Sequence, residues 1–223
     1  MDRSYYLKLD SISGIDRHIS FSYTNNTNTR LKLNSIQFQT GINGATDHKY
    51  EFGYNSTSLP GYNSRQTDRW GYYNGTDYSG HIQDSQTYTL RSPDADLMKA
   101  EILEEIVYPT GGRTTFEYEP HSYYRVAKQF PFTVATNPTD SIAGGLRIKS
   151  ITDKPFRGTS VTRTFSYVDS YSGTTHSSGI LSGRQHFKKN GSLALNAGLP
   201  HVNTYDITYK RASLAGKECI NHH

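Results

Sequence analysis

The 223-residue sequence has one cysteine, Cys219, one tryptophan, Trp70, and two methionines. A lone cysteine excludes an internal disulfide framework, so packing and hydrogen bonds must hold the fold. No stretch approaches the ~20 apolar residues of a membrane-spanning helix, so membrane insertion by this segment is not expected. Met1-Asp2-Arg3-Ser4-Tyr5-Tyr6 lacks the apolar run of a signal peptide. Charge of one sign is scarce too: 24 Lys and Arg against 20 Asp and Glu leave +4, spread along the chain. The densest basic stretch, Arg184 to Lys189, contains His186 and Phe187 and reads as a solvated strand or turn, so no nucleic-acid partner is expected. No Gly-x-Ser-x-Gly elbow is present. Gly111-Gly112 follows Pro109-Thr110 and Gly144-Gly145 precedes a strand, so neither reads as a phosphate-binding loop at a helix start.

Aromatic residues are abundant instead, with 18 Tyr and 9 Phe in a chain that is 34% hydrophobic. At roughly 150–250 Å² each, their rings must supply much of the buried area. Tyr and Thr suit a pleated, half-wet surface, and Asn, Gly and Ser suit turns.

One phrase recurs four times: an aliphatic pair three residues apart, a turn, then Phe-x-Tyr. Leu9 and Ile12 lead to Phe21-Ser22-Tyr23, and Leu33 and Ile36 to Phe52-Gly53-Tyr54. Leu103 and Ile106 lead to Phe116-Glu117-Tyr118, and Ile148 and Ile151 to Phe165-Ser166-Tyr167. A recurring supersecondary unit fixes an architecture more firmly than a local motif. The unit reads as a β-hairpin, so the fold class expected is all-β, stacked antiparallel β-hairpins. Phe21, Phe52, Phe116 and Phe165 are expected at equivalent buried positions.

Ile15, Ile19, Phe21 and Tyr23 share one parity, with Arg17 as the exception on that face, which argues for a strand with one wet side. The parity shift between Leu33 and Ile36 suggests a bulge or twist. Pro109-Thr110-Gly111-Gly112 marks a tight hairpin turn. Val202 to Tyr209 is a residual strand candidate. Ser92-Pro93-Asp94 reads as a helix start, giving one short helix near 93–99. The stretches 55–91 and 120–143 read as irregular insertions. Residues 1–223 read as a single β-repeat segment, excised from a longer chain because the repeat is already running near residue 7.

Candidate sites are few. Trp70, Tyr72 and Tyr73, with Asp68, Arg69 and Asn74, form the sharpest cluster. Exposed, they would suit sugar stacking with polar anchoring; folded inward, Trp70 would plug the end of the hairpin stack. The nine histidines show no recognised ligand spacing, so no metal is expected. Asp94, Asp96, Glu101, Glu104 and Glu105 could supply a carboxylate pair, yet the aspartates suit a helix N-terminus and the glutamates a strand. No cofactor is implied. Asn55-Ser56-Thr57 and Asn74-Gly75-Thr76 fit the glycosylation triplet.

Several phrases resemble the RHS/YD-repeat proteins, in particular their divergent, very long Bacteroidetes versions. They are Asp68-Arg69-Trp70-Gly71-Tyr72-Tyr73-Asn74-Gly75, Tyr108-Pro109-Thr110-Gly111-Gly112, Phe116-Glu117-Tyr118-Glu119-Pro120, Gly144-Gly145-Leu146-Arg147-Ile148 and Ser178-Gly179-Ile180-Leu181. The resemblance covers roughly residues 30 to 185 and implies hairpins that wind into a hollow shell. Tyr205-Asp206 matches the family dipeptide, but Ile207-Thr208-Tyr209 replaces its turn, and the phrase associated with self-cleavage is missing. The expectation is a non-catalytic structural segment of a secreted or cell-surface protein, contributing to a shell or scaffold. Its partners would be the remainder of its own chain or other repeats. The alternative is a surface module that binds a glycan or cell-surface protein through the Trp70–Tyr73 cluster.

Overall fold

A computed structural model describes residues 8–24, 30–41, 44–78, 84–128, 133–169, 175–181, 186–190 and 206–210. The structure is mostly antiparallel β-sheet with little helix. The strands are β1 (Ser11–Ser13), β2 (Arg17–Thr24), β3 (Lys32–Thr40), β4 (Thr46–Tyr54), β5 (Leu103–Val107), β6 (Arg113–Lys128), β7 (Thr133–Lys154), β8 (Val161–Thr164), β9 (Ile180–Leu181), β10 (His186–Asn190) and β11 (Asp206–Lys210). β1 to β8 follow one another across one sheet in sequence order, and β9 pairs with β6 in parallel. β10 and β11 form a separate antiparallel pair.

By compactness the chain divides into two units. One comprises Met1–Ser64, Lys99–Glu119 and Arg147–Ser166, the other Arg65–Met98, Pro120–Leu146 and Tyr167–His223.

In the first unit the recurring phrase has a structural basis. Where β2 meets β3, Phe21 opposes Ile36 and Tyr23 opposes Leu33, with the register shifting between Ser22 and Tyr23. Where β4 meets β5, Phe52 opposes Ile106 and Tyr54 opposes Leu103, with the shift between Gly53 and Tyr54. Phe-x-Tyr spans two steps and the aliphatic pair three, so each seam must absorb one extra residue as a bulge. Those residues are Asn34 and Glu104. The residue after each tyrosine holds the bulge: Thr24 bonds Asn34, with Asn34 Nδ2 donating to Thr24 Oγ1 (2.9 Å), and Asn55 Nδ2 donates to Glu104 Oε1 (2.8 Å).

Three of the four phrases also close on themselves. The Tyr23 hydroxyl donates to the Leu9 carbonyl (2.9 Å), Tyr54 to Leu33 (2.7 Å) and Tyr118 to Leu103 (2.8 Å). The fourth phrase shares a backbone signature with the first. Phe165 N–H donates to Lys149 O and Phe21 N–H to Asp10 O, both at 2.9 Å, and each acceptor directly follows the first aliphatic residue.

Opposed residues share a face, so Phe21, Ile36 and Tyr50 line one side while Ser22, Ser35 and Glu51 line the other. Tyr50 meets Phe38 and Tyr108 edge to face at centroid distances of 6.2 and 6.0 Å. The polar side carries ion pairs such as Lys49–Glu51 (2.6 Å) and Arg113–Glu105 (3.0 Å). Arg17, the exception in the β2 pattern, pairs with Asp47 (3.4 Å). The β5–β6 turn is as tight as Pro109-Thr110-Gly111-Gly112 implies: Tyr108 and Gly112 bond across it, and Gly111 has φ +80°.

The four phenylalanines are less buried than their pattern implies. Phe21, Phe52 and Phe116 are half-buried and Phe165 is exposed. Among the described residues, the buried hydrophobic side chains are Met98 and Ala100 instead. The rings on the sheet cover one another sideways, and Phe165 follows β8 at the sheet edge.

The helix expected near 93–99 is a single 3-10 turn, Leu97–Lys99, where Asp94 Oδ1 accepts from the N–H groups of Asp96 (3.0 Å) and Leu97 (2.8 Å). A seven-residue α-helix, Asp84–Leu90, lies within 55–91, read as irregular. Residues 120–128 and 133–143, also read as irregular, continue β6 and begin β7. Of the Val202–Tyr209 candidate, residues 206–209 belong to β11; 202–205 lie outside the described residues, as do Cys219, His81, His201, His222, His223, Phe130 and Phe132.

Candidate functional site

The Trp70 cluster lies in the second unit, on a loop that Asp68 closes. The Asp68 N–H donates to Tyr72 O (2.7 Å), and Asp68 Oδ1 accepts from the N–H groups of Trp70 (2.8 Å) and Tyr72 (2.9 Å). Aspartate suits this place because its short carboxylate reaches backbone two and four residues ahead. Gly71 has φ +97°, which a side chain would make costly. Thr67 and Tyr73 bridge below the loop.

Two arginines lock it. Arg91 is buried; its Nη2 (2.6 Å) and Nε (3.1 Å) donate to Asp68 O, and its Nε also donates to Thr67 O (3.2 Å). Its guanidinium lies 4.6 Å from the centre of the Tyr78 ring. Arg69 is buried too. Its N–H donates to Arg91 O (3.0 Å) and its Nη1 to Tyr88 O (3.1 Å), while its guanidinium lies over the rings of Tyr88 (3.9 Å) and Trp70 (5.2 Å). Asn74 is buried and spans three backbone groups: its Nδ2 donates to Leu90 O and Ser92 O, both at 2.9 Å, and its Oδ1 accepts from Thr76 N–H (3.1 Å).

The cluster therefore divides by chemistry. The side-chain hydrogen bonds of Asp68, Arg69 and Asn74 described above all go to the protein's own backbone. Trp70 and Tyr73 are half-buried, and Tyr72 is 43% exposed. The indole packs against Gly144, where an added Cβ would lie 2.6 Å from Trp70 Cβ and 2.6 Å from Asp68 Oδ2. A Cβ on Gly145 would lie 3.2 Å from the Tyr72 hydroxyl. Two phrases distant in sequence, Asp68–Gly75 and Gly144–Gly145, are thus halves of one contact. Asp68 is 0% exposed and, among the described residues, its Oδ2 has no hydrogen-bond partner. Burial pushes its carboxyl above the usual range, opposed by the N–H groups of Tyr72, Trp70 and Gly71 and by Arg91.

Asp94, Glu101, Glu104 and Glu105, singled out in the sequence, have structural partners. Asp94 caps the 3-10 turn, Glu104 holds Asn55, Glu105 pairs with Arg113, and Glu101 pairs with Lys32 (3.0 Å). Asn55 and Asn74 of the glycosylation triplets form the same turn, each Oδ1 accepting from the N–H two residues on.

A second cluster was not legible in sequence, because its members come from separate strands and loops. His176 stacks on Tyr124 at 3.9 Å with an interplanar angle of 1° and sets its Nδ1 3.3 Å from Asp140 Oδ1. Asp140 Oδ2 accepts from Ser177 N–H (3.0 Å). These are the residue types of a hydrolytic triad, but the buried Ser177 hydroxyl donates to Ser122 O (2.8 Å) and accepts from Gly179 N–H (3.2 Å). The set clamps residues 175–179 onto β6 and β7. Among the described residues no group of three or more His, Cys, Asp and Glu could hold a metal ion.

No protein-family model, no curated protein and no solved structure matches the chain.

Proposed function

We propose that this chain is a structural β-repeat segment of the RHS/YD type, belonging to a secreted or cell-surface protein and contributing to a shell or scaffold without catalysis of its own. The observation that supports this reading best is the repeated seam. Two junctions between successive phrases share one register, one bulge and one side-chain bridge, and three tyrosines make the same bond back to the start of their phrase. Such a unit extends a sheet by adding neighbours, as repeat architectures do. The remainder of the chain or further repeats are its natural partners. Protease treatment of intact producing cells, followed by detection with an antibody to this segment, tests the placement. Loss of the signal supports a surface location; full protection with release only on cytoplasmic lysis refutes it.

The second reading is a glycan- or protein-binding module, favoured by the exposure of Tyr72 beside the half-buried indole. Trp70→Ala separates the two. As packing filler, Trp70 contributes stability approaching the ~3–5 kcal/mol of a buried aromatic, and its removal lowers the melting temperature without changing retention on polysaccharide columns. As a ligand platform, the same change abolishes retention and leaves the melting temperature in place.

A further inference from the structure

The two edges of the β1–β8 sheet carry opposite halves of the seam that joins successive phrases inside it. Inside, Ile36 is covered by Phe21 and Ile106 by Phe52, and the residue after each phenylalanine opposes the residue before each isoleucine, as Ser22 opposes Ser35 and Gly53 opposes Glu105. At one edge, β1 and the residues leading into it present the aliphatic half, with Leu9 52% and Ile12 50% exposed. At the other edge, the chain leaving β8 presents the aromatic half, with Phe165 41% exposed. Among the described residues β1 pairs only with β2, and β8 only with β7.

We propose that these edges join copies of this chain head to tail, the β8 edge of one copy receiving β1 of the next in the register of the internal seams. That register opposes Phe165 to Ile12, Ser166 to Ser11 and Thr164 to Ser13. The contact ends there, because the Tyr167 carbonyl already accepts from Ser178 N–H (3.0 Å) and Asp169 N–H donates to His176 O (2.8 Å). The seam is therefore short and the association weak and concentration-dependent. It is also heterologous, since unlike edges meet, so it adds copy to copy, into an open chain or a closed ring, and does not stop at a symmetric pair. An edge strand with unpaired backbone groups is the ordinary template for such addition. The inference rests on the register and not on any shell, so it can fail while the scaffold reading stands, and the reverse.

Directly opposed residues in an antiparallel pair have Cα atoms about 4.5–5.5 Å apart, within the ~4.4–6.8 Å that a disulfide bridges. Ser11 and Ser166 are both exposed, so cysteine there leaves the fold intact. In a Cys219→Ser background, Ser11→Cys and Ser166→Cys are prepared separately, then oxidised alone and as a mixture. The expected result is a cross-linked dimer in the mixture and little in either variant alone. Its yield should rise with protein concentration and fall when Ile12→Lys is added to the first variant or Phe165→Lys to the second. Sedimentation of the unmodified chain should show average mass rising with concentration. Cross-linking mainly in single-variant samples would mean like edges pair and overturns the proposal. Failure of the mixture to cross-link, or a monomer at every concentration, overturns it as well.

Discussion

Tyr54→Phe removes a single oxygen, the one 2.7 Å from the Leu33 carbonyl. The ring stays, so the change isolates the bond that closes a phrase on itself. A hydrogen bond of this kind contributes about 0.5–1.5 kcal/mol net. The bonds of Tyr54 and Tyr118 are partly buried and that of Tyr23 is exposed to water. Tyr54→Phe and Tyr118→Phe should therefore cost about 1 kcal/mol each, and Tyr23→Phe about half of that. The two larger effects belong to different hairpins and should add to about 2 kcal/mol in the double variant. Urea denaturation reads the losses as lower midpoints at constant slope. Ionisation gives an independent readout. Burial raises the Tyr54 and Tyr118 hydroxyls above 10.0, and for Tyr118 the Glu104 carboxylate adds to the effect. The folded state holds these protons more tightly than the unfolded chain. Their contribution is complete below pH 10.0 and is lost as the pH rises from there through the folded-state values. Tyr54→Phe should flatten the alkaline fall in stability. Midpoints unmoved at both partly buried sites, or a larger loss at Tyr23 than at Tyr54, would refute the reasoning.

Gly144→Ala should destabilise by about 1–3 kcal/mol through overpacking and shift the emission of Trp70; a stable variant with unaltered fluorescence would contradict the packing described. Asp68→Asn keeps an acceptor for the Trp70 and Tyr72 N–H groups and removes a buried charge. Because the folded-state pKa of Asp68 lies above its ordinary 3.8, the protein should lose stability as the pH rises from 3.8 through that raised value, and the variant should not. Parallel stability curves for the two would refute this. Asn74→Ala leaves the Leu90 and Ser92 carbonyls without their side-chain donor and should cost about 1–3 kcal/mol, measured by thermal unfolding; an unchanged midpoint would show that water replaces the amide.

The strands of the first unit were legible because Phe-x-Tyr and the aliphatic pair carry their own periods. Even the bulge was foreshadowed by the parity shift between Leu33 and Ile36. The depth of burial was not, since Phe165 and Phe21 look alike in sequence and differ only in whether a strand follows beside them. The helix Asp84–Leu90 escaped because Asp-Ser-Gln-Thr-Tyr-Thr-Leu has weak helix formers and no apolar stripe. Residues 120–143 were read as irregular because Pro120, Asn137 and Pro138 argue against strand. In the Trp70 loop the sequence set Asp68 to Asn74 side by side but did not show the direction of their polar atoms. Arg91 and Gly144, which determine it, lie far along the chain.

Each bulged seam specifies the two strands that meet and says nothing about the path between them. One seam is reached through residues 24–32 and another through residues 55–102, yet Tyr meets Leu in the same way at both. Closing a flexible connection costs only about 0.6 kcal/mol more for each doubling of its length. The joint itself therefore sets little limit on the length of chain between Asn55, which braces it, and Leu103. What fixes the form of the present stretch is its own packing, Trp70 and Asp68 against Gly144 and Asn74 against the Leu90 and Ser92 carbonyls, and not the seam that carries it.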